Sequence, residues 1–527
     1  MAIPLLPPSQ LLSSLPQQWQ LGLLALLPLL ALSSFLLLTS RSSGSSATAK
    51  KGERLPPGPV QLPVLGSLHL LGPLPHRSFG ELARQHGPVM LLRLGTVPTV
   101  VVSSAEAAQE VMKAHDVDCC SRPVSPGPKR LSYDLKNVAF APYDEYWREM
   151  RKLFIVELLS MRRVKAGWYA REQQVDKLIG NLTRSGPKPV ALNEHIFGLA
   201  DGIIGTVAFG NIYGSEQFAH KQHFQHVLDE AMDMMASFSA EDFFPNAAGW
   251  LVDRLTGLVA RRERIFKDLD AFFESVIDQH MDPARAKPEN GGDLVDVLIN
   301  LWKEHRGTLR FTRDHVKGII LDTFLGGIDT SSVTMLWAMS ELIRKPRVLK
   351  KAQDEVRAVV GDKVRVEPGD VPKLTYLKMV VKETLRLHPP ATLLLPRETM
   401  RHIKICGYDV PAKTRIFVNA WAIGRDPASW TDAEEFNPDR FEASDVDYNG
   451  AHFELVPFGA GRRICPGLAM GETNVQFTLA NLLYCFDWAL PEGMAAEDVS
   501  MEEAGGLTFH RKTPLVLVPT KYQQRAV

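Results

Sequence analysis

One cysteine near the C-terminus stands in surroundings suited to ligand chemistry. Phe458-Gly-Ala-Gly461-Arg-Arg463-Ile-Cys465-Pro-Gly467 sets it among glycines, behind an aromatic ring and two arginines, just before an apolar helical run from Leu468 to Phe486. A thiolate is a soft, electron-rich donor, and as the single axial protein ligand of a haem iron it favours O–O cleavage. Glycines at 459, 461 and 467 let the backbone bend tightly and pass close to a flat macrocycle. A cysteine at the mouth of a helix meets backbone N–H groups and the positive dipole end, which lower its pKa and favour the thiolate. Arg463 can pair with a haem propionate. The plainer alternative is a buried, inert cysteine at a helix start, and the surrounding spacing argues against it.

A second constellation lies in a long apolar helix. The sequence predicts one helix over Thr312–Lys345, ending before Pro346, with Val316, Ile319, Ile320, Thr323 and Phe324 on a buried face. Its centre reads Gly326-Gly327-Ile328-Asp329-Thr330-Ser331. Adjacent glycines cost a helix about 1 kcal/mol each relative to alanine. A threonine that bonds a preceding carbonyl can open the helix locally. Such an opening beside a metal centre is an oxygen-binding notch, with Thr330 holding a water and Asp329 feeding protons toward it. A distortion needed only for packing is the competing reading.

Other charged groups must position these two. Glu383-Thr-Leu-Arg386 places an acid and a base three apart on a helix from Leu374 to Leu387, stopped by Pro389-Pro390. Trp147-Arg-Glu-Met-Arg151 presents an indole N–H and a guanidinium four apart on one helix face. With Arg463 and Arg397 these form the expected propionate-binding set.

The 60 basic and 60 acidic residues cancel, so no nucleic-acid footprint is expected. Five cysteines, at 119, 120, 406, 465 and 485, are too scattered for a disulfide scaffold and fit a reducing compartment. Cys119-Cys120 reads as two ordinary thiols rather than a metal element. Beyond residue 55 there are no repeats, and one long flexible stretch is expected at Asp282–Gly292. Leu21–Leu38 is an almost continuous apolar run with no charged side chain before Arg41. Its eighteen residues reach about 27 Å, close to the thickness of a bilayer core. The cationic flank Arg41, Lys50, Lys51 and Arg54 should stay cytoplasmic. A cleaved leader ending near Ala47-Thr48-Ala49 is the rival, but that site lies far beyond the apolar run. Residues 1–40 are therefore expected to be a membrane anchor, 41–66 a basic and Pro-rich linker, and 67–527 the catalytic domain. No nucleotide-binding glycine fingerprint follows a strand, so any reductant must be delivered from outside.

These motifs, in this order over residues 147–467, resemble the cytochrome P-450 haem-thiolate monooxygenases of plant microsomes. The resemblance implies a mainly α fold with small β-sheets, here near Val89–Val102 and in the C-terminal region, behind an N-terminal transmembrane helix. It implies haem b held by Cys465, with Phe458, Gly467, Trp147, Arg151, Arg397 and Arg463 around it. Asp329 and Thr330 become the family's acid–threonine pair, although Gly326 stands where the family more often has alanine. Glu383, Arg386 and Arg440 of Phe436-Asn-Pro438-Asp-Arg440-Phe441 become a structural ion triad. The implied partners are an NADPH–cytochrome P-450 reductase, membrane lipid and a small-molecule substrate; contact with pathway enzymes is left open. The implied location is the endoplasmic reticulum membrane, with a single N-terminal span and a cytosolic catalytic domain.

The runs Leu94–Ser104, Lys129–Val138 and Met234–Pro245 narrow the likeness to the aldoxime monooxygenases of grass cyanogenic glucoside synthesis. That implies dehydration of an aldoxime, such as 4-hydroxyphenylacetaldehyde oxime, to a nitrile, and then hydroxylation to a cyanohydrin. The dehydration needs Cys465; the hydroxylation also needs Asp329 and Thr330. Action on another small specialised metabolite is the alternative, and a haem-thiolate dehydratase or non-catalytic haem binder a third. Expected pocket segments are Ser125–Asn137, Phe238–Phe244, Thr323–Thr330, Ala391–Leu395 and Gly505–Phe509.

Overall fold

The computed structural model describes residues 53–210, 213, 221–285, 292–304 and 310–523. The expected membrane anchor and the first part of the linker lie outside the described residues, as does most of the expected flexible stretch at Asp282–Gly292. Among the described residues helices dominate, with four small sheets. The largest pairs Val89–Leu94 antiparallel with Val97–Val102, which runs parallel to Arg415–Val418, itself antiparallel to Arg397–Glu398. The C-terminal strand Val516–Lys521 lies between Val190–Ala191 and Phe486–Ala489. Glu503–Gly505 and Phe509–Arg511 form a tight hairpin.

From Arg54 onward the Pro-rich segment is not a free spacer. Arg54 exchanges hydrogen bonds with Asp409, Leu91 N–H donates to the Pro57 carbonyl at 2.9 Å, and Ser67 N–H donates to the Arg93 carbonyl at 2.6 Å. A Cβ on Gly66, at φ +60°, would come within 2.0 Å of the Arg93 carbonyl oxygen. Prolines that lack N–H donors suit a strand-edge partner of this kind.

The expected long central helix is two helices in line, Arg313–Gly327 and Asp329–Arg344, interrupted at Ile328. Val316, Ile319, Ile320 and Phe324 of the first pack into one hydrophobic core with Leu258–Met281 and Leu294–Glu304. Met335, Leu336, Met339 and Leu342 of the second pack into another, with Leu192–Phe209, Pro346–Val360, Thr375–Leu387 and Leu468–Cys485. The interruption therefore falls where the two cores meet. Beside it the Thr330 hydroxyl donates to the Gly326 carbonyl at 2.6 Å.

One ion cluster braces the side of the molecule that carries the cysteine loop. Both Glu383 and Arg386 are shut off from solvent, with Arg386 Nε 2.7 Å from Glu383 Oε2 and Nη2 2.8 Å from Oε1. Arg440 Nε reaches Glu383 Oε1 at 3.0 Å, and the Asn437 N–H reaches the same oxygen at 2.8 Å. The remaining guanidinium donors of Arg386 hold the carbonyls of Gly424, Ala433 and Glu435. One carboxylate thus ties the helix Thr375–Leu387 to the chain between 424 and 440. Glu383→Ala should leave two guanidinium groups without their acid and lower stability by about 3–5 kcal/mol. Equilibrium urea unfolding checks this; a loss below about 1 kcal/mol would contradict the bracing role.

Candidate functional site

The loop that carries Cys465 is shaped by glycines. Gly459 and Gly461 both sit at φ +68°, the left-handed region. A Cβ on Gly461 would lie 2.3 Å from the Met112 carbonyl oxygen and 2.4 Å from Asp116 Oδ1, so no larger residue fits there. The Cys465 N–H donates to the Phe458 carbonyl at 2.9 Å, which closes the loop, and the helix Leu468–Cys485 starts directly after Gly467. Cys465, Phe458, Gly459 and Gly467 face a cavity of about 320 Å³ between this loop and the interruption in the central helix. The thiol differs from expectation in one respect. Burial is the larger influence and pushes its pKa up, while the Gly467 N–H and the Arg151 charge pull it down without prevailing.

Four guanidinium groups line the same cavity: Arg122, Arg151, Arg397 and Arg463. Arg397 pairs with Asp116 at 3.5 Å and donates to the Ala460 carbonyl at 2.9 Å. Arg151 donates to the Ile464 carbonyl at 2.5 Å. Arg463 donates to the carbonyls of Cys120, Val138 and Ala141, and its guanidinium lies 4.0 Å from the Trp147 ring centre. Among the described residues Arg122, Arg151 and Arg463 form no carboxylate pair. Burial holds Arg463 down to about 9, and Arg397 and Arg151 add like-charge repulsion. Arg122 is lowered further, by burial and then by Arg463 and Arg397.

These cations converge on one short segment. Val138 accepts from Arg463 and from the Trp147 indole N–H at 3.0 Å, while the Ala139 carbonyl accepts from Arg122 at 3.1 Å. The N–H groups of Val138 and Ala139 donate to Asp322 Oδ2 on the central helix at 2.7 and 3.1 Å, and Asn137 Nδ2 reaches Oδ1 at 2.7 Å. Burial raises Asp322 to about 6 in spite of those three donors. The segment is entered through Tyr133, Asp134 and Leu135, three successive non-glycine residues in the left-handed region, a strain that its hydrogen bonds must offset.

At the interruption, Thr330 and Ser331 face the cavity but Asp329 does not line it. Asp329 Oδ2 instead accepts from the Thr508 hydroxyl at 3.0 Å, and Thr508 itself lines the cavity. Burial raises the Asp329 carboxyl, with Thr508 and His510 pulling it down and Asp233 pushing it up. Gly326 has open space where a Cβ would go, whereas a Cβ on Gly327 would meet Ile204 Cδ1 at 2.5 Å.

The structure therefore brings Cys465, Phe458, Gly467, Arg151, Arg397, Arg463 and Thr330 to one cavity. Trp147 is placed otherwise: it is buried, its N–H is engaged by Val138, and its face carries Arg463. Of the expected pocket segments, Thr323–Thr330, Ala391–Leu395 and Gly505–Phe509 contribute lining, but Ser125–Asn137 and Phe238–Phe244 do not; Val138–Phe140 and Met232, nearby, do. Sequence reasoning missed Arg122 and Asp322, and it placed Thr508 in a pocket segment without giving it a role. The one available signal for Arg122 was a lone arginine in the buried stretch Cys119-Cys120-Ser121-Arg122.

The residues fit haem. An apolar cavity with a thiol on one wall suits a macrocycle, Gly459 and Gly467 leave that wall without side chains, and three arginines without carboxylates, two of them buried and Arg151 half-buried, suit two propionates.

A family model described as Cytochrome P450 matches residues 56–518. The chain is 76% identical over 523 residues, 98% of each chain, to the 4-hydroxyphenylacetaldehyde oxime monooxygenase of Sorghum bicolor. It is 53% identical to the 2-methylbutanal oxime monooxygenase of Manihot esculenta, over 97% of this chain and 99% of that one. A zebra fish cytochrome P450 structure with abiraterone has the same fold, with a TM-score of 0.72 at 23% identity over 86% of this chain and all of the other.

Replacing Arg122 by leucine removes one of four cavity cations without touching Cys465. The purified variant should retain haem less well and lose it faster to an apo-globin acceptor, by on the order of tenfold, with an unchanged thiolate spectrum. Retention equal to wild type would remove Arg122 from the cradle.

Proposed function

The chain belongs to the cytochrome P450 family, and on that premise we propose that it converts an aldoxime, 4-hydroxyphenylacetaldehyde oxime first among candidates, through a nitrile to a cyanohydrin. The observation that carries the substrate is the 76% identity to the sorghum oxime monooxygenase over almost the whole of both chains. The relative named for an aliphatic oxime, at 53%, supports the aldoxime group while leaving the side chain it carries to the cavity wall. When bound, haem supplies the activation of O2 with electrons passed from NADPH by a separate reductase.

The protein's own residues do the rest. Cys465 would hold the haem iron through its sulfur, and Arg122, Arg151, Arg397 and Arg463 would hold the propionates. Trp147 supports Arg463 from its ring face. Leu394, Phe458 and Leu507 exclude water from the cavity and orient the substrate's ring. Thr330 holds a water at its hydroxyl, and Asp329 supplies protons. Glu383, Arg386 and Arg440 keep the cysteine loop in place. Residues 1–40 anchor the protein in the endoplasmic reticulum membrane, 41–66 connect the anchor to the catalytic domain, and that domain faces the cytosol. Deleting residues 1–40 should shift the protein toward the soluble fraction while haem incorporation persists; a mature N-terminus near Lys50 would contradict the anchor.

The test is reconstituted enzyme with reductase, NADPH, O2 and a panel of aldoximes and nitriles, read by mass spectrometry. Wild type should yield nitrile and cyanohydrin from 4-hydroxyphenylacetaldehyde oxime. Dehydration consumes no O2, so Thr330→Ala should raise the nitrile-to-cyanohydrin ratio by on the order of tenfold or more. Equal loss of both products would place Thr330 in binding or folding, and no turnover of any aldoxime would leave hydroxylation of another small metabolite as the reading.

A further inference from the structure

Two features of the acid beside the helix interruption do not fit a pair that acts along one helix alone. Thr330 has its hydroxyl directed to the Gly326 carbonyl, and Asp329 turns away from the cavity. The group that connects Asp329 to the cavity is Thr508, whose hydroxyl is 3.0 Å from Asp329 Oδ2 and whose side chain lines the cavity wall. We propose that Thr508 is the hydroxyl through which Asp329 delivers protons to the cavity, an inference that rests on the monooxygenase reading above.

Thr508 is held firmly enough for the task. It sits at the turn of the hairpin Glu503–Gly505 and Phe509–Arg511. The next residue, Phe509, donates its N–H to the Pro390 carbonyl at 3.0 Å and accepts the Trp337 indole N–H at 3.2 Å. Arg511 donates to the Ser340 hydroxyl at 2.9 Å. On the other side of the turn, a Cβ on Gly506 would lie 2.2 Å from Ala236 Cβ, so the helix Lys221–Ala236 presses directly on it. A positioned hydroxyl both accepts and donates, which is what a relay requires. Thr508 donates to the Asp329 carboxylate at rest; once Asp329 is protonated the bond reverses, Asp329 gives its proton to Thr508 Oγ1, and the hydroxyl proton of Thr508 passes to a water in the cavity. Asp329 is left as carboxylate and is reloaded from the side where Asp233 and His510 act on it. Burial favours the protonated acid that this sequence starts from. Asp233 is exposed and His510 half-buried, so exchange with solvent is available on that side.

The experiment compares wild-type, Thr508→Val, Thr508→Ser and Thr330→Ala holoenzymes. One readout is the Asp329 carboxyl band in infrared difference spectra, assigned with Asp329→Asn; the other is hydrogen peroxide released per NADPH oxidised. Thr508→Val should shift the carboxyl band and raise peroxide per NADPH by on the order of tenfold. Thr508→Ser should restore both, and Thr330→Ala should leave the band in place. An unmoved band, or a Thr508→Val enzyme as well coupled as wild type, overturns the proposal. So does a change in thermal unfolding with neither readout altered, because the bond would then serve packing alone. Neither readout requires aldoxime products, so a failure of the substrate reading would be seen separately.

Discussion

Positive charge held out of water around one apolar cavity is the constraint on which the rest of this structure depends. Arg122 and Arg463 are buried and Arg151 half-buried, none of the three with a carboxylate partner among the described residues, and on top of burial the like charges of Arg151 and Arg397 depress both Arg122 and Arg463. Backbone carbonyls take up their N–H groups but do not neutralise them. An arrangement of this kind is costly unless an anion completes it. The two carboxylates of haem are that anion, and the cavity places Cys465 on the wall opposite the helix interruption. Burial likewise pushes the pKa of the Cys465 thiol up, a cost that a bound cation would offset.

The cradle for the cofactor and the helix that carries the acid are not independent parts. They meet on Asn137–Ala139, where backbone carbonyls face the arginines and backbone N–H groups face Asp322. Asp322 lies on the helical segment Arg313–Gly327, which ends at the interruption. The Glu383 cluster performs the same office on the opposite side, holding the chain that leads into the cysteine loop.

What was legible in the sequence was chemistry that needs given residue types at short spacing. Cys465 among its glycines, the Gly326–Thr330 centre and Glu383 with Arg386 are all local patterns. The partners of Asp322 and Thr508 are another matter, since they lie 184 and 179 residues away along the chain. No periodicity encodes such contacts, because tertiary packing alone brings them together. Trp147 shows the converse limit: a donor at the right helical spacing faced the right region, yet a closer carbonyl took its N–H. The Pro-rich segment read as a spacer because prolines leave the helix, and only the sheet edge shows that it docks.

The central claim is that the arginine cluster exists for the carboxylates of haem. Protein prepared without cofactor can be reconstituted with haem or with its dimethyl ester, which keeps the macrocycle and iron but removes both negative charges. The account predicts that the ester binds at least about tenfold more weakly, while giving the same thiolate spectrum. Equal affinity for the two would contradict it.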